Sequence, residues 1–78
     1  MDVPDISEYE NISIPAGGTT INYVNNYHTI PYPQITVTGG TDKDIVILDN
    51  MTKTTFFVKV VNDGNDVDRR GNYLVQSY

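Results

Sequence analysis

The chain has no cysteine, no tryptophan, a single histidine and few basic residues, and each shortage removes a class of function. Without cysteine there is no disulfide framework, no thiol nucleophile and no thiolate metal site. His28 alone cannot supply a His–His or Cys–His ligand set within one chain; only copies related by a threefold axis would bring several together. Five Lys and Arg against ten Asp and Glu leave a net charge of −5, and the only adjacent basic pair is Arg69–Arg70. That balance argues against nucleic acid or an anionic membrane as partner. The longest apolar run, Ile45 to Leu48, is four residues, too short to insert in a membrane or to form a signal-peptide core.

At 78 residues the chain makes one domain. A core of this size typically leaves only about 3–5 kcal/mol of stability, so oligomerisation is a natural supplement. What the sequence has in quantity is β-branched and aromatic residues, including six tyrosines, and these fit a pleated surface better than a helix. No window repeats apolar residues at helical spacing over three turns. Residues 1–10 (MDVPDISEYE), rich in acids, read as a leader or linker, and residues 11–78 as the domain. Short strands are expected at 11–14, 19–24, 34–38, 45–48, 56–61 and 71–78. Turn signals separate them at Ala16-Gly17-Gly18, Pro31-Tyr32-Pro33, Gly39-Gly40 and Asn62-Asp63-Gly64-Asn65. The centre is the hairpin from Asp44 to Val61. About six short strands with regular turns and essentially no helix make a small antiparallel β-sandwich or barrel.

Several of these segments carry a family pattern. Ile21-Asn22-Tyr23, then Tyr27, then Pro31 and Pro33 before Ile35-Thr36-Val37, form an alternating strand, a proline corner and a second strand. Val46-x-Leu48 leads through Asn50-Met51-Thr52-Lys53-Thr54-Thr55 to Phe56, and Tyr73-Leu74-Val75 sits near the end of the chain. This resembles the H-type lectin-like β-sandwich found as C-terminal domains of bacteriophage tail fibre and tail-tip proteins. Thr55 stands where that family has glycine, and no sugar-contacting motif of the family matches here. The resemblance implies a virion protein for host attachment, and with no nucleophile–base pair or metal set to name in the sequence no enzymatic activity is expected. It would bind a host-surface glycan or protein receptor, hold a trimer together, or do both. A purely structural assembly module with no ligand is the alternative.

The resemblance and the alternation place Val46, Leu48, Met51, Phe56, Val58, Val60, Tyr73 and Val75 inward. Ile45, Ile47, Phe57 and Val61 are then outward, too many large apolar groups for a solvated face, and are the candidate subunit interface. The aromatic and amide stretch Tyr23, Asn25, Asn26, Tyr27, His28 and Tyr32 is the candidate ligand site. Sugar recognition joins an aromatic face, which stacks on C–H groups, with amides that pair with hydroxyls. Filling the end of the sandwich is the alternative role for the same rings. Asp63, Asn65, Asp66 and Asp68 form a weak calcium candidate, lacking the order and the distal glutamate of calcium loops. A solvated hairpin turn neutralised by Arg69 and Arg70 accounts for the same residues. No other cofactor is indicated.

Overall fold

The computed structural model describes residues 6–77, and every regular element in them is a strand. These are β1 (Ile6–Ile14), β2 (Thr19–Asn22), β3 (Gln34–Thr38), β4 (Asp44–Asp49), β5 (Thr55–Asn62), β6 (Asn65–Val67) and β7 (Arg69–Ser77). They form two antiparallel sheets facing each other as a sandwich. The first has the order β1-β7-β3, and the second β2-β5-β4 with β6 also on β5. β2 pairs with residues 55–58 of β5 and β6 with 60–62, while β4 spans 57–62. β2 and β6 therefore lie end to end along one edge of β5, with β4 along the other. Among the described residues no helix is long and apolar enough to cross a membrane.

The expected register of the central hairpin holds. Phe56, Val58 and Val60 on β5 are fully buried, as are Tyr73 and Val75 on β7. Val46, Leu48 and Met51 pack against them at the margin of the core. Period-two alternation sends Phe57, Lys59 and Val61 to the opposite face. Phe57 is partly covered because the chain folds back at Gly18. A Cβ there would collide with the Phe57 ring and the Val58 carbonyl oxygen, so only glycine permits the approach.

Two features depart from the sequence reading. Residues 6–10, assigned to the leader, are the first half of β1 and pair with β7 from Ile6↔Ser77 to Glu10↔Tyr73. The alternation there was disguised because one inward position is a carboxylate, Glu8. Residues 1–5 of that leader, and Tyr78, lie outside the described residues. The second departure is β6, whose three residues are too few to show a period. It is set by the two-residue turn Asp63-Gly64, both at positive φ (51° and 82°), which returns Asn65 opposite Asn62. Such a turn matches the twist of paired strands.

Candidate functional site

The loop after β2 divides the aromatic and amide residues between two roles. Tyr23 and Tyr27 turn inward and are buried, with ring centroids 5.3 Å apart and edge-on to each other. Tyr23 also packs at 5.3 Å from Phe56 and 6.0 Å from Tyr73, closing one end of the core with four rings. Neither Tyr23 nor Tyr27 offers a face for stacking on a sugar; the end-filling role holds for both. Asn25 is half-buried, whereas Asn26, His28 and Tyr32 are exposed.

What gathers this loop is Glu8, a residue the sequence reading passed over. Its carboxylate accepts from the Tyr27 hydroxyl at 2.6 Å, from the Tyr73 hydroxyl, from the Val24 and Asn25 amides at 3.0 and 3.1 Å, and from Asn25 Nδ2 at 3.1 Å. Burial alone would push the carboxyl pKa up, but the tyrosine hydroxyls and the backbone amides outweigh it and hold the group down at about 2. Burial and the adjacent carboxylate in turn raise both tyrosine hydroxyls. Glu8 is thus ionised throughout the neutral range and saturated with donors. It anchors the loop and has little acceptor capacity left for a substrate.

The exposed residues belong to a larger surface, the outer face of the β1-β7-β3 sheet. Cross-strand pairing sets Tyr9 beside Leu74 and Gln34, Asn11 beside Asn72 and Thr36, and Ser13 beside Arg70 and Thr38. Ser7 pairs with Gln76. Pro31 and Pro33 keep the chain extended before β3, so Tyr32 continues the outward row two residues beyond Gln34, level with Gln76. Tyr9 and Tyr32 are 60% and 73% exposed. Standard strand spacings put their attachment points about 12 Å apart across the sheet. Leu74 and Gln76 lie between them on β7 with amides and hydroxyls around, and Arg70 is the only charged residue among these outward positions.

At the far end this face runs into a cleft of about 720 Å³ lined by Ser13, Ile14, Pro15, Thr38, Gly39, Asp68, Arg69 and Arg70. A smaller hollow of about 300 Å³ shares Ser13, Thr38 and Arg70 with it. The larger volume falls in the range of small-ligand sites. Its walls are fixed by polar bonds: Arg69 grips Asp44 with two nitrogens at 2.8 and 3.1 Å, and Asp68 Oδ1 accepts the Ala16 amide at 2.6 Å.

The remaining candidates separate. Asp66 faces Lys59 at 3.6 Å, Asp68 is taken by Ala16, and Asn65 donates to the Asp63 carbonyl at 3.3 Å. Among the described residues no three acidic or histidine side chains converge where a cation would sit, so the calcium reading of this turn has no geometric support. Ile45, Ile47, Phe57 and Val61 share the outer face of the second sheet: Ile45 pairs with Val61, Ile47 with Lys59, and Asp49 with Phe57. Ile45 is 60% exposed and Ile47 37%.

Of the ligand-site residues named from sequence, Tyr32 is joined to the outer face while Asn26 and His28 stay on the loop. The residues missed are Tyr9, Asn11, Gln34, Asn72 and Gln76. Their signal was the polar half of each alternating strand, legible only once the strands are ordered β1-β7-β3. Comparison of the chain with protein-family models, with curated proteins and with solved structures gives no match.

Proposed function

We propose that this domain is a glycan-binding module whose ligand lies along the outer face of the β1-β7-β3 sheet, between Tyr9 and Tyr32 and towards the Arg70 cleft. The observation that carries this reading is a sheet face with two exposed tyrosines, amides and hydroxyls around a half-buried Leu74, and no carboxylate, in a chain of net charge −5. Tyrosine rings stack on the C–H faces of sugars, and amides both donate to and accept from hydroxyls. A span of about 12 Å between the rings suits an oligosaccharide better than a single hexose. The setting we propose is host attachment by a phage tail fibre or tail-tip protein, following the lectin-like sequence pattern.

The test is a glycan array probed with the wild-type domain and with Tyr9→Ala and Tyr32→Ala. Binding is expected for the wild type and reduced roughly fivefold by each substitution, the scale of about 1 kcal/mol for an aromatic contact. Thermal melts should be nearly unchanged, since both rings are exposed. An assembled wild-type protein that binds no glycan and no host cell would favour the ligand-free assembly role instead.

A further inference from the structure

Among the described residues β4 is an edge strand, with charges only at its two ends, Asp44 and Asp49. Ile45, Val46, Ile47 and Leu48 follow one another without proline, glycine or charge, and the outer face keeps Ile45 and Ile47 exposed. The edges of the other sheet are more interrupted: β1 carries the exposed Glu10 at its middle and is followed by Pro15, and β3 begins just after Pro31 and Pro33. A long apolar edge is a template for another strand.

The geometry points to a second copy of this chain as the occupant, joined β4 to β4 in antiparallel register about a two-fold axis at Val46. Identical copies close only if the contact is isologous, which for strand edges means antiparallel. Opposed residues must share a face, so the axis passes through a residue rather than between two. Centring on Val46 sets Ile45 opposite Ile47 of the second copy, Asp44 opposite Leu48, and Asp49 opposite Lys43 of its β4 turn, each twice by symmetry. Centring on Ile47 would set Asp49 opposite Ile45 and leave Lys43 facing Met51. Apolar and opposite-charge pairs favour the first register. The contact uses the second sheet only, so it leaves the proposed glycan face open.

Light scattering across concentration should show a mass rising from 8.7 kDa to twice that value. A mass that stays at one chain at high micromolar concentration, or rises to three chains, overturns the proposal. The register is read by cross-linking, which is clean because the chain has no cysteine. Ile45→Cys mixed with Ile47→Cys should form the mixed disulfide, since directly opposed residues lie within disulfide reach. Each variant alone should cross-link far more slowly, its thiols being about 8 Å apart at the Cα atoms. Self-linking as fast as the mixed reaction would exclude this register. Lys43→Glu should weaken association several-fold, and adding Asp49→Lys should restore it; a double variant as weak as the single one would remove the Lys43–Asp49 pair from the argument.

Discussion

The two ends of the sandwich are closed by different chemistry around the same kind of group. At one end Glu8 sits among Tyr23, Tyr27, Phe56 and Tyr73, with donors from β7 and from the loop after β2 converging on a buried carboxylate. At the other, Asp44 is gripped by Arg69 and by Asn62 at 2.6 Å, over an aliphatic core that includes Ile14 and Val60. Arg69 and Val75, the residue paired with Glu8, are six positions apart on β7, roughly 20 Å. Both carboxyls are held at about 2. Arg69 and Asn62 draw Asp44 down against a weaker burial effect, whereas burial is the largest single influence on Glu8 and is overcome only by several donors together. One end therefore depends on a cage of five donors and the other on a part-buried ion pair supported by Asn62.

The largest test of that contrast is Phe56→Ala, which empties a fully buried site in the aromatic end. It should cost about 3–5 kcal/mol, enough to unfold a domain of this size. Phe57→Ala, on the adjacent outward position, should cost far less in urea melts. Reversed effects would contradict the β5 register.

Glu8→Gln comes next. Glutamine keeps the volume but has only one acceptor oxygen, so a tyrosine hydroxyl or an amide loses its partner. Each buried group left unsatisfied costs about 1–3 kcal/mol, and chemical denaturation should show a loss in that range. Proton linkage separates the ends further. Because the folded Glu8 pKa lies below its ordinary value of 4.5, its contribution is present above about pH 4.5 and lost as pH falls towards about 2. Asp44, ordinarily at 3.8, adds its loss over a lower window. The raised hydroxyls of Tyr27 and Tyr73 act oppositely, stabilising below pH 10 and losing that effect as alkaline pH ionises them. Melting temperature against pH should therefore fall at both extremes. Glu8→Gln should flatten the acid limb; a limb as steep as in the wild type would mean that other carboxylates govern it.

How much of this was legible in the sequence follows from what each end is made of. The aliphatic and aromatic alternation of β5 and β7 showed in Phe56, Val58, Val60, Tyr73 and Val75, because apolar side chains at period two announce a buried face. Glu8 did not show, since a lone acid in an acidic stretch reads as solvent-facing, and the donors that justify its burial are 16 to 65 residues away. For the same reason the proposed ligand face was missed at Tyr9, Asn11 and Gln76. Polar residues on separate strands become a surface only through strand order, which no local pattern encodes. Tyr23 and Tyr27 were misplaced because a tyrosine suits both a binding face and a core, and the carboxylate that favours the core lies outside their own loop.

Arg69→Gln tests the other end and should have a smaller effect than Glu8→Gln. Arg69 keeps 21% of its side chain accessible and Asp44 only 7%, but Asn62 still donates to the carboxylate and water can enter from the arginine side. Removing it should lower the melting temperature only slightly and return the Asp44 carboxyl towards its ordinary value, which an NMR titration of the side chain would follow. A loss matching that of Glu8→Gln would mean that the ion pair, and not the cage, holds the sandwich closed.

The smallest effect belongs to Tyr23→Phe, and it sharpens what the cage does. Tyr23 packs in the same aromatic cluster as Tyr27 and Tyr73, but its buried hydroxyl has no hydrogen-bond partner among the described residues. Burial first, and the Glu8 charge second, push its pKa up to about 12. Removing an unpaired buried hydroxyl relieves a desolvation cost and leaves the ring contacts in place. The variant should therefore be as stable as the wild type or more stable by roughly 1 kcal/mol. Tyr73→Phe, which deletes a donor to Glu8, should instead be destabilising. Urea melts of the two variants side by side decide the point. If both lose stability equally, the Tyr23 hydroxyl has a partner in solution and the cage around Glu8 is larger than its five donors.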